Sequence, residues 1–179
     1  MESKEWRRSV GDQSFLVSTD RGSLDESFIQ KAFGTKDMYW AEPTSKEKMK
    51  TMLDNSCTLG LYQVPEQLAS GQASIMVGMA RIITDYVTFA YLTDVYVLDE
   101  YRKLRLGKWL VACVKEVFLE VPDLRRAVLL TGSTQAQQMY ERDFGMEVMN
   151  QDNSGLVAMG VKKSVLASLD ARDTRNLSA

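Results

Sequence analysis

The chain of 179 residues contains no histidine and only two cysteines. The first absence removes the commonest general base, the Ser-His-Asp triad and most zinc sites. The cysteines, Cys57 and Cys113, lie far apart in apolar surroundings. They form no disulfide framework and read as buried small hydrophobes in a reducing compartment. Charge of one sign is also lacking, since the formal net charge is -2. Bulk charge therefore gives no reason to expect nucleic acid as the partner, and any electropositive site must be local. No apolar run approaches the ~20 residues of a membrane span. The polar start, Met1 to Gly11, has no apolar signal region. A soluble cytoplasmic or nuclear enzyme, with no membrane partner, is the expectation.

What is present is ordinary for a globular protein: 45% apolar and 26% charged residues. Such a length suits one compact domain with a real core. Residues 1–12 read as a flexible N-terminal arm, 13–170 as a single domain, and 171–179 as a frayed tail. Within the domain, Ser14 to Thr19 reads as a strand. Leu24 to Phe33 reads as a helix stopped by Gly34, and Thr44 or Ser45 caps a second helix to about Asn55. Cys57 to Val64 reads as a strand and Pro65 to Gln72 as a loop. Ala73 to Thr84 and Val87 to Leu98 read as two long strands joined tightly at Asp85-Tyr86, which favours an antiparallel hairpin. Leu106 to Val121 repeats apolar residues at helical spacing and ends at Pro122. Arg126 to Leu130 is a short buried strand, and Ser133 or Thr134 caps a helix to about Arg142. Phe144 to Met149 and Leu156 to Val161 are the last strands, and Lys163 to Leu169 reads as a short helix. The order implies an α/β (α+β) fold, a mixed and mostly antiparallel sheet flanked by helices.

Leu92 to Leu110 carries the most chemistry. It reads as a strand, a basic turn and a helix. A helix N-terminus offers unpaired N–H groups and partial positive charge, which bind phosphate oxygens. Arg102, Lys103, Arg105 and Lys108 add full charges, and Gly107 allows close backbone approach. A solvated basic turn would use the same residues. There is no Walker lysine motif and no early Gly-x-Gly-x-x-Gly, so other nucleotide-binding folds are disfavoured.

Arg102-Lys103-Leu104-Arg105-Leu106-Gly107 resembles the Gln/Arg-x-x-Gly-x-Gly/Ala signature of the GNAT superfamily of N-acyltransferases, matching its first and last anchors. Gly78-Met79-Ala80-Arg81, Thr84-Asp85-Tyr86, Thr88 to Leu92, Tyr39-Trp40-Ala41, Leu129-Leu130-Thr131 and Met139-Tyr140-Glu141-Arg142 are similar to a branch of small GNAT proteins. The likeness covers roughly residues 13–150. It implies acetyl-CoA as cosubstrate and direct transfer of acetyl to a primary amine of a small molecule. It also implies that the backbone of Val95, Tyr96 and Val97 pairs with the pantetheine arm. The amides of Lys103, Leu104, Arg105, Leu106, Gly107 and Lys108 would hold the pyrophosphate, with Arg102 contributing from the start of the loop. Dimers are common in the family, which leaves a homodimer open.

Arg105 stands where the signature has its first glycine. Its Cβ resists positive φ. The turn is therefore expected to be αR-compatible, with Arg105 pointing outward or onto a CoA phosphate. The alternative is a distorted loop in a weak or inactive acyl-CoA-binding regulatory protein.

Acyl transfer from a thioester needs removal of the amine proton, protonation of the thiolate and donors for the oxyanion. Without histidine, carboxylates, tyrosines and bound water must handle the protons. The resemblance places Tyr140 beside the CoA sulfur as general acid. Asp94 is the candidate base or amine-binding carboxylate, because a carboxylate inside an apolar strand needs a partner or a job. A structural acceptor role for Asp94 is equally open, and Asp85 reads as a local turn residue. Tyr39, Trp40, Tyr86 and Tyr91 are candidates for lining the acceptor pocket, with core packing the alternative for each. No metal is expected.

Overall fold

A computed structural model describes residues 2–65, 73–151, 157–162 and 164–169. Residues 66–72 of the expected loop, and the tail, lie outside the described residues. The chain divides into two units, Met1–Ile82 with Asp94–Val114, and Ile83–Thr93 with Lys115–Ala179.

The first unit begins with two antiparallel strands, β1 (Glu5–Val10) and β2 (Gln13–Ser18). They pair from Glu5 opposite Ser18 to Val10 opposite Gln13. The residues expected to be a loose arm are thus largely a strand. Gly11, at φ 58, makes the turn that Gly-Asp permits. The strand is polar because it lies at the end of the strand order. Charges at such an edge discourage pairing with other chains. Helix α1 (Glu26–Phe33) starts at Asp25, whose carboxylate accepts from the Ser27 and Phe28 amides. Helix α2 (Lys46–Asp54) starts at Ser45, whose hydroxyl accepts from the Lys48 amide. These caps satisfy amides that a helix start leaves without partners.

β3 (Cys57–Val64) pairs antiparallel with β2 and with β4 (Ile75–Thr84). Ile29, Phe33, Met38, Met49, Leu53, Met76 and Met79 form the core of this unit, so methionines fill its gaps as their flexible shape allows. β5 (Phe89–Val97) follows β4 in the strand order and contributes its C-terminal half here. A Cβ on Gly78 of β4 would stand 2.8 Å from the Tyr96 carbonyl oxygen, so only glycine allows this approach. Next come α3 (Asp99–Arg102) and the first turns of α4 (Leu106–Glu120).

In the second unit β5 pairs in parallel with β6 (Arg126–Thr131), from Phe89 opposite Arg126 to Leu92 opposite Leu129. β8 (Val157–Val161) pairs antiparallel with β6 and with β7 (Glu147–Gln151). Helix α5 (Thr134–Phe144) is capped by Ser133 and ends at Gly145 in the left-handed region, two residues later than expected. β7 accordingly starts at Glu147 rather than Phe144. Residues 164–169 are helical.

The link before β5 is also longer than expected. Asp85 accepts from the Val87, Thr88 and Phe89 amides and from the Thr88 hydroxyl. The chain coils around this carboxylate instead of turning in two residues. The Thr88 hydroxyl and these amides hold the Asp85 carboxyl well below the usual carboxylate range. Among the described residues the sheet has eight strands, mostly antiparallel, with helices, as expected.

Candidate active site

The basic corner runs from the end of β5 through α3 into α4. Arg102 is committed to protein partners. Its Nε donates to the Val97 carbonyl at 3.0 Å, and its two terminal nitrogens meet Asp37 at 2.5 Å and Asp99 at 2.7 Å. Its guanidinium carbon also lies 6.0 Å from the Tyr96 ring centroid. These groups fix the corner, so Arg102 acts as a clamp, with three of its N–H groups engaged by protein partners. Lys103, Arg105 and Lys108 are exposed and make no ion pair among the described residues.

Arg105 adopts φ 58. This overturns the expected αR-compatible turn: the backbone keeps the left-handed geometry a glycine would take, despite the Cβ. The Arg105 amide donates to the Arg102 carbonyl, and the Arg105 carbonyl accepts from the Trp109 amide at 3.3 Å. Arg105 is therefore the residue that opens α4, and arginine has no acceptor with which to cap it. The amides of Leu106, Gly107 and Lys108 are the first of a 15-residue helix, without i−4 partners. Left-handed backbone costs a non-glycine residue about 1–2 kcal/mol. Arg105→Gly should therefore hold or raise the melting temperature, with part of the gain offset by unfolded-state entropy. It should also keep or improve acetyl-CoA binding in a thermal-shift titration. Loss of binding would make the Arg105 side chain a required contact.

β5 carries a second left-handed residue. Asp94, at φ 52, is only 4% exposed. Its Oδ2 accepts from Arg81 Nε at 2.6 Å and its Oδ1 from Trp40 Nε1 at 3.0 Å. Aspartate tolerates this region better than most residues. Beyond it, Val95, Tyr96 and Val97 continue the strand past Leu92, the last β5 residue paired with β6. Trp40 packs edge-on against Tyr39 with centroids 5.0 Å apart, and both rings are largely exposed. The first unit thus brings Asp94, Trp40 and Tyr39 together.

The second unit holds Tyr140, Tyr86 and Tyr91. Tyr140 is buried on α5, edge-on to Phe144 at 5.8 Å. Burial pushes its phenol up to about 12, so it keeps its proton near neutrality. Tyr86 sits exposed in the turn before β5 at φ 61, and Tyr91 lies half-buried on β5 opposite Val128. Cys57 and Cys113 are buried and form no disulfide among the described residues, and burial pushes the Cys57 thiol up to about 11. Among the described residues no acidic, cysteine or histidine cluster could hold a metal, and no helix is long and apolar enough to cross a membrane.

Residues 29–146 match the family described as acetyltransferase (GNAT) family, which spans more than half of the chain. The chain belongs to the GNAT acetyltransferase family. It is an acyltransferase. A Gibberella zeae protein that carries an acetyltransferase name is 33% identical over 153 residues, covering 80% of this chain and 83% of that protein. The crystal structure of a GNAT-family protein from Xanthomonas campestris is 30% identical. It covers 79% of this chain and 94% of that one, with a TM-score of 0.56. A spermidine N-acetyltransferase from Vibrio cholerae, solved with CoA and spermine, is 13% identical. It covers 92% and 98% of the two chains with a TM-score of 0.56, a likeness of fold alone.

For this GNAT chain, sequence reasoning missed two site residues. Arg81 is a charge inside the apolar strand IMVGMARIIT, the same signal that singled out Asp94, and it is Asp94's partner. Asp37 has no comparable signal, because its partner Arg102 lies 65 residues away.

Proposed function

We propose that this acyltransferase moves an acetyl group from acetyl-CoA to a primary amine of a small molecule, by direct transfer in a ternary complex. One observation carries the reading: the first amides of α4, at Leu106, Gly107 and Lys108, follow a left-handed Arg105, beside three cations that make no ion pair among the described residues. That arrangement fits a diphosphate, which needs N–H donors and positive charge together. The Val95–Val97 backbone suits a pantetheine amide, added like one more strand.

The amine nitrogen attacks the thioester carbonyl carbon, forming the C–N bond and an oxyanion. Collapse breaks the C–S bond. The amine proton leaves to bound water, with the Asp94 carboxylate buried and held by Arg81 and Trp40. The departing thiolate takes the Tyr140 proton, giving the acetamide and CoA. The Tyr140 phenol enters the reaction protonated, and burial, by raising its pKa, makes it a weaker acid than an ordinary tyrosine. Tyr39 and Trp40 offer aromatic faces to the acceptor, and Tyr86 and Tyr91 keep their candidacy as acceptor contacts. An amine with an apolar body suits such faces.

Gly107→Glu tests the diphosphate site directly. A Cβ at Gly107 meets nothing closer than a Val97 methyl at 3.9 Å. Glutamate is a better helix former than glycine, and its charge suits the first turn. The fold should therefore keep or gain stability. Acetyl-CoA affinity should fall by ~100-fold, because a carboxylate replaces the space and the charge the diphosphate needs. Undiminished stabilisation by acetyl-CoA on heating would remove the corner from the reading. Free-thiol release across an amine panel then identifies the acceptor.

A further inference from the structure

The structure assigns Asp94 a positioning role that it performs through Arg81 and Trp40. Three features meet at this carboxylate. It is buried, with the side chain 4% exposed and that of Arg81 12% exposed. It sits on left-handed backbone in the middle of a strand. Its two oxygens are divided between partners from different parts of the first unit, Arg81 on β4 and Trp40 on the segment before α2.

A buried carboxylate is tolerated when paired and hydrogen-bonded, and this one is both. A left-handed residue inside a strand bends it and re-aims the backbone that follows, at a cost of about 1–3 kcal/mol that the surroundings must offset. The Arg81 and Trp40 bonds provide that restraint. They hold the kink from which Val95, Tyr96 and Val97 emerge. The same carboxylate fixes the Trp40 indole, and with it the Tyr39–Trp40 pair. A second tie joins the same segment to the corner, since Asp37 binds Arg102. A half-exposed ring held by a buried hydrogen bond keeps one orientation without packing on all sides. Asp94 thus sets the strand that would meet the cofactor and the ring pair that would meet the acceptor at once. In its functional half this inference rests on the proposed acetyl transfer; in its structural half it does not.

The test compares Asp94→Asn, Asp94→Ala and Trp40→Phe with the native protein by hydrogen exchange of the peptides spanning 36–42 and 94–98. Asparagine tolerates left-handed backbone and keeps an acceptor, whereas alanine does neither. Exchange in Asp94→Asn should rise in one of the two peptides at most, because its single acceptor oxygen can serve Arg81 or Trp40 but not both, and in Asp94→Ala it should rise by ~10-fold or more in both peptides. Trp40→Phe, which keeps an aromatic ring at this half-exposed position but loses the N–H donor and part of the indole, should raise exchange over 36–42. This variant decides the matter if Asp94→Ala does not fold. Equal protection in all variants would overturn the assignment, whether or not the protein binds acetyl-CoA. Where turnover is measured, Asp94→Asn should retain kcat within about tenfold, with the pH profile unshifted. A base at Asp94 would instead lose ~10²–10⁴-fold in Asn and Ala alike. Trp40→Phe should raise the acceptor KM several-fold at nearly constant kcat; a fall in kcat at constant KM would place Trp40 in the chemical step instead. Absence of acetyl-CoA binding by the native protein would sink the proposed function and leave the exchange result standing.

Discussion

Tyr140→Phe should lower kcat by about 10²-fold, equivalent to ~2.7 kcal/mol of transition-state stabilisation, while acetyl-CoA affinity changes less than about twofold. The two side chains differ by one oxygen. The aromatic ring that packs edge-on against Phe144 is retained, so the core has little reason to move. In the proposed mechanism the lost group is the proton donor to the leaving thiolate, which matters only as the C–S bond breaks. A loss confined to that moment lowers kcat and kcat/KM together and leaves cofactor binding alone. Thiol release in a single turnover is the right measurement, because slow product release can hide a chemical defect. An unchanged single-turnover rate at saturating substrates would remove Tyr140 from the mechanism. The same variant has a signature in stability. The fold favours the neutral phenol, with its pKa pushed up to about 12 from an ordinary value of 10. Below pH 10 both the folded and the unfolded phenol hold their proton, and the native fold keeps its full stability. As pH rises from 10 to about 12 the unfolded phenol ionises first, and about 2–3 kcal/mol of that stability is lost. Tyr140→Phe has no phenol to ionise and should lose less stability than the native protein over that window, with the Cys57 thiol contributing equally to both.

Much of the site was legible because it is local. The basic residues from Arg102 to Lys108 are close together in the chain, and the apolar repeat after Leu106 marks a helix start. The expectation of a phosphate-holding corner, which the proposed function adopts, follows from those two facts. Ser45 and Ser133 were readable as caps for the same reason: the polar side chain and the amides it serves lie within three residues. What escaped was set by distance or by competition. β1 escaped because an edge strand needs only alternate partial burial, so its composition is that of a loop. The role of Arg102 escaped because Asp37 reaches it from far along the chain. At Arg105 two signals conflicted. Residue type argued against positive φ, and the motif position argued for it. The motif geometry prevails because the corner is clamped on one side by Arg102 and continues into α4 on the other. Asp94 shows the converse. Its cost inside an apolar strand was plain, but whether a partner or a job offset it depended on reading Arg81 as the matching anomaly on the neighbouring strand.

Arg81→Met should destabilise the protein by about 3–5 kcal/mol, a fall in melting temperature of roughly 6–20 °C for a chain of this size. The estimate rests on what remains after the change. Asp94 keeps its charge and its burial but loses the 2.6 Å bond to Arg81 Nε, and the Trp40 N–H alone does not replace a guanidinium. Methionine fills the volume of the arginine stem, so lost packing is a minor part of the effect. The penalty of a stranded charge can be separated from lost packing by a double-mutant cycle. In the native background Asp94→Asn removes a partner of Arg81 and should lower the melting temperature. In the Arg81→Met background the same change removes an uncompensated buried charge and should raise it. Such a reversal of sign is expected only if the two side chains act as a pair. Equal losses in both backgrounds would mean that the bond contributes nothing beyond the sum of its parts. The left-handed kink of β5 would then be held by packing around Asp94 rather than by its carboxylate.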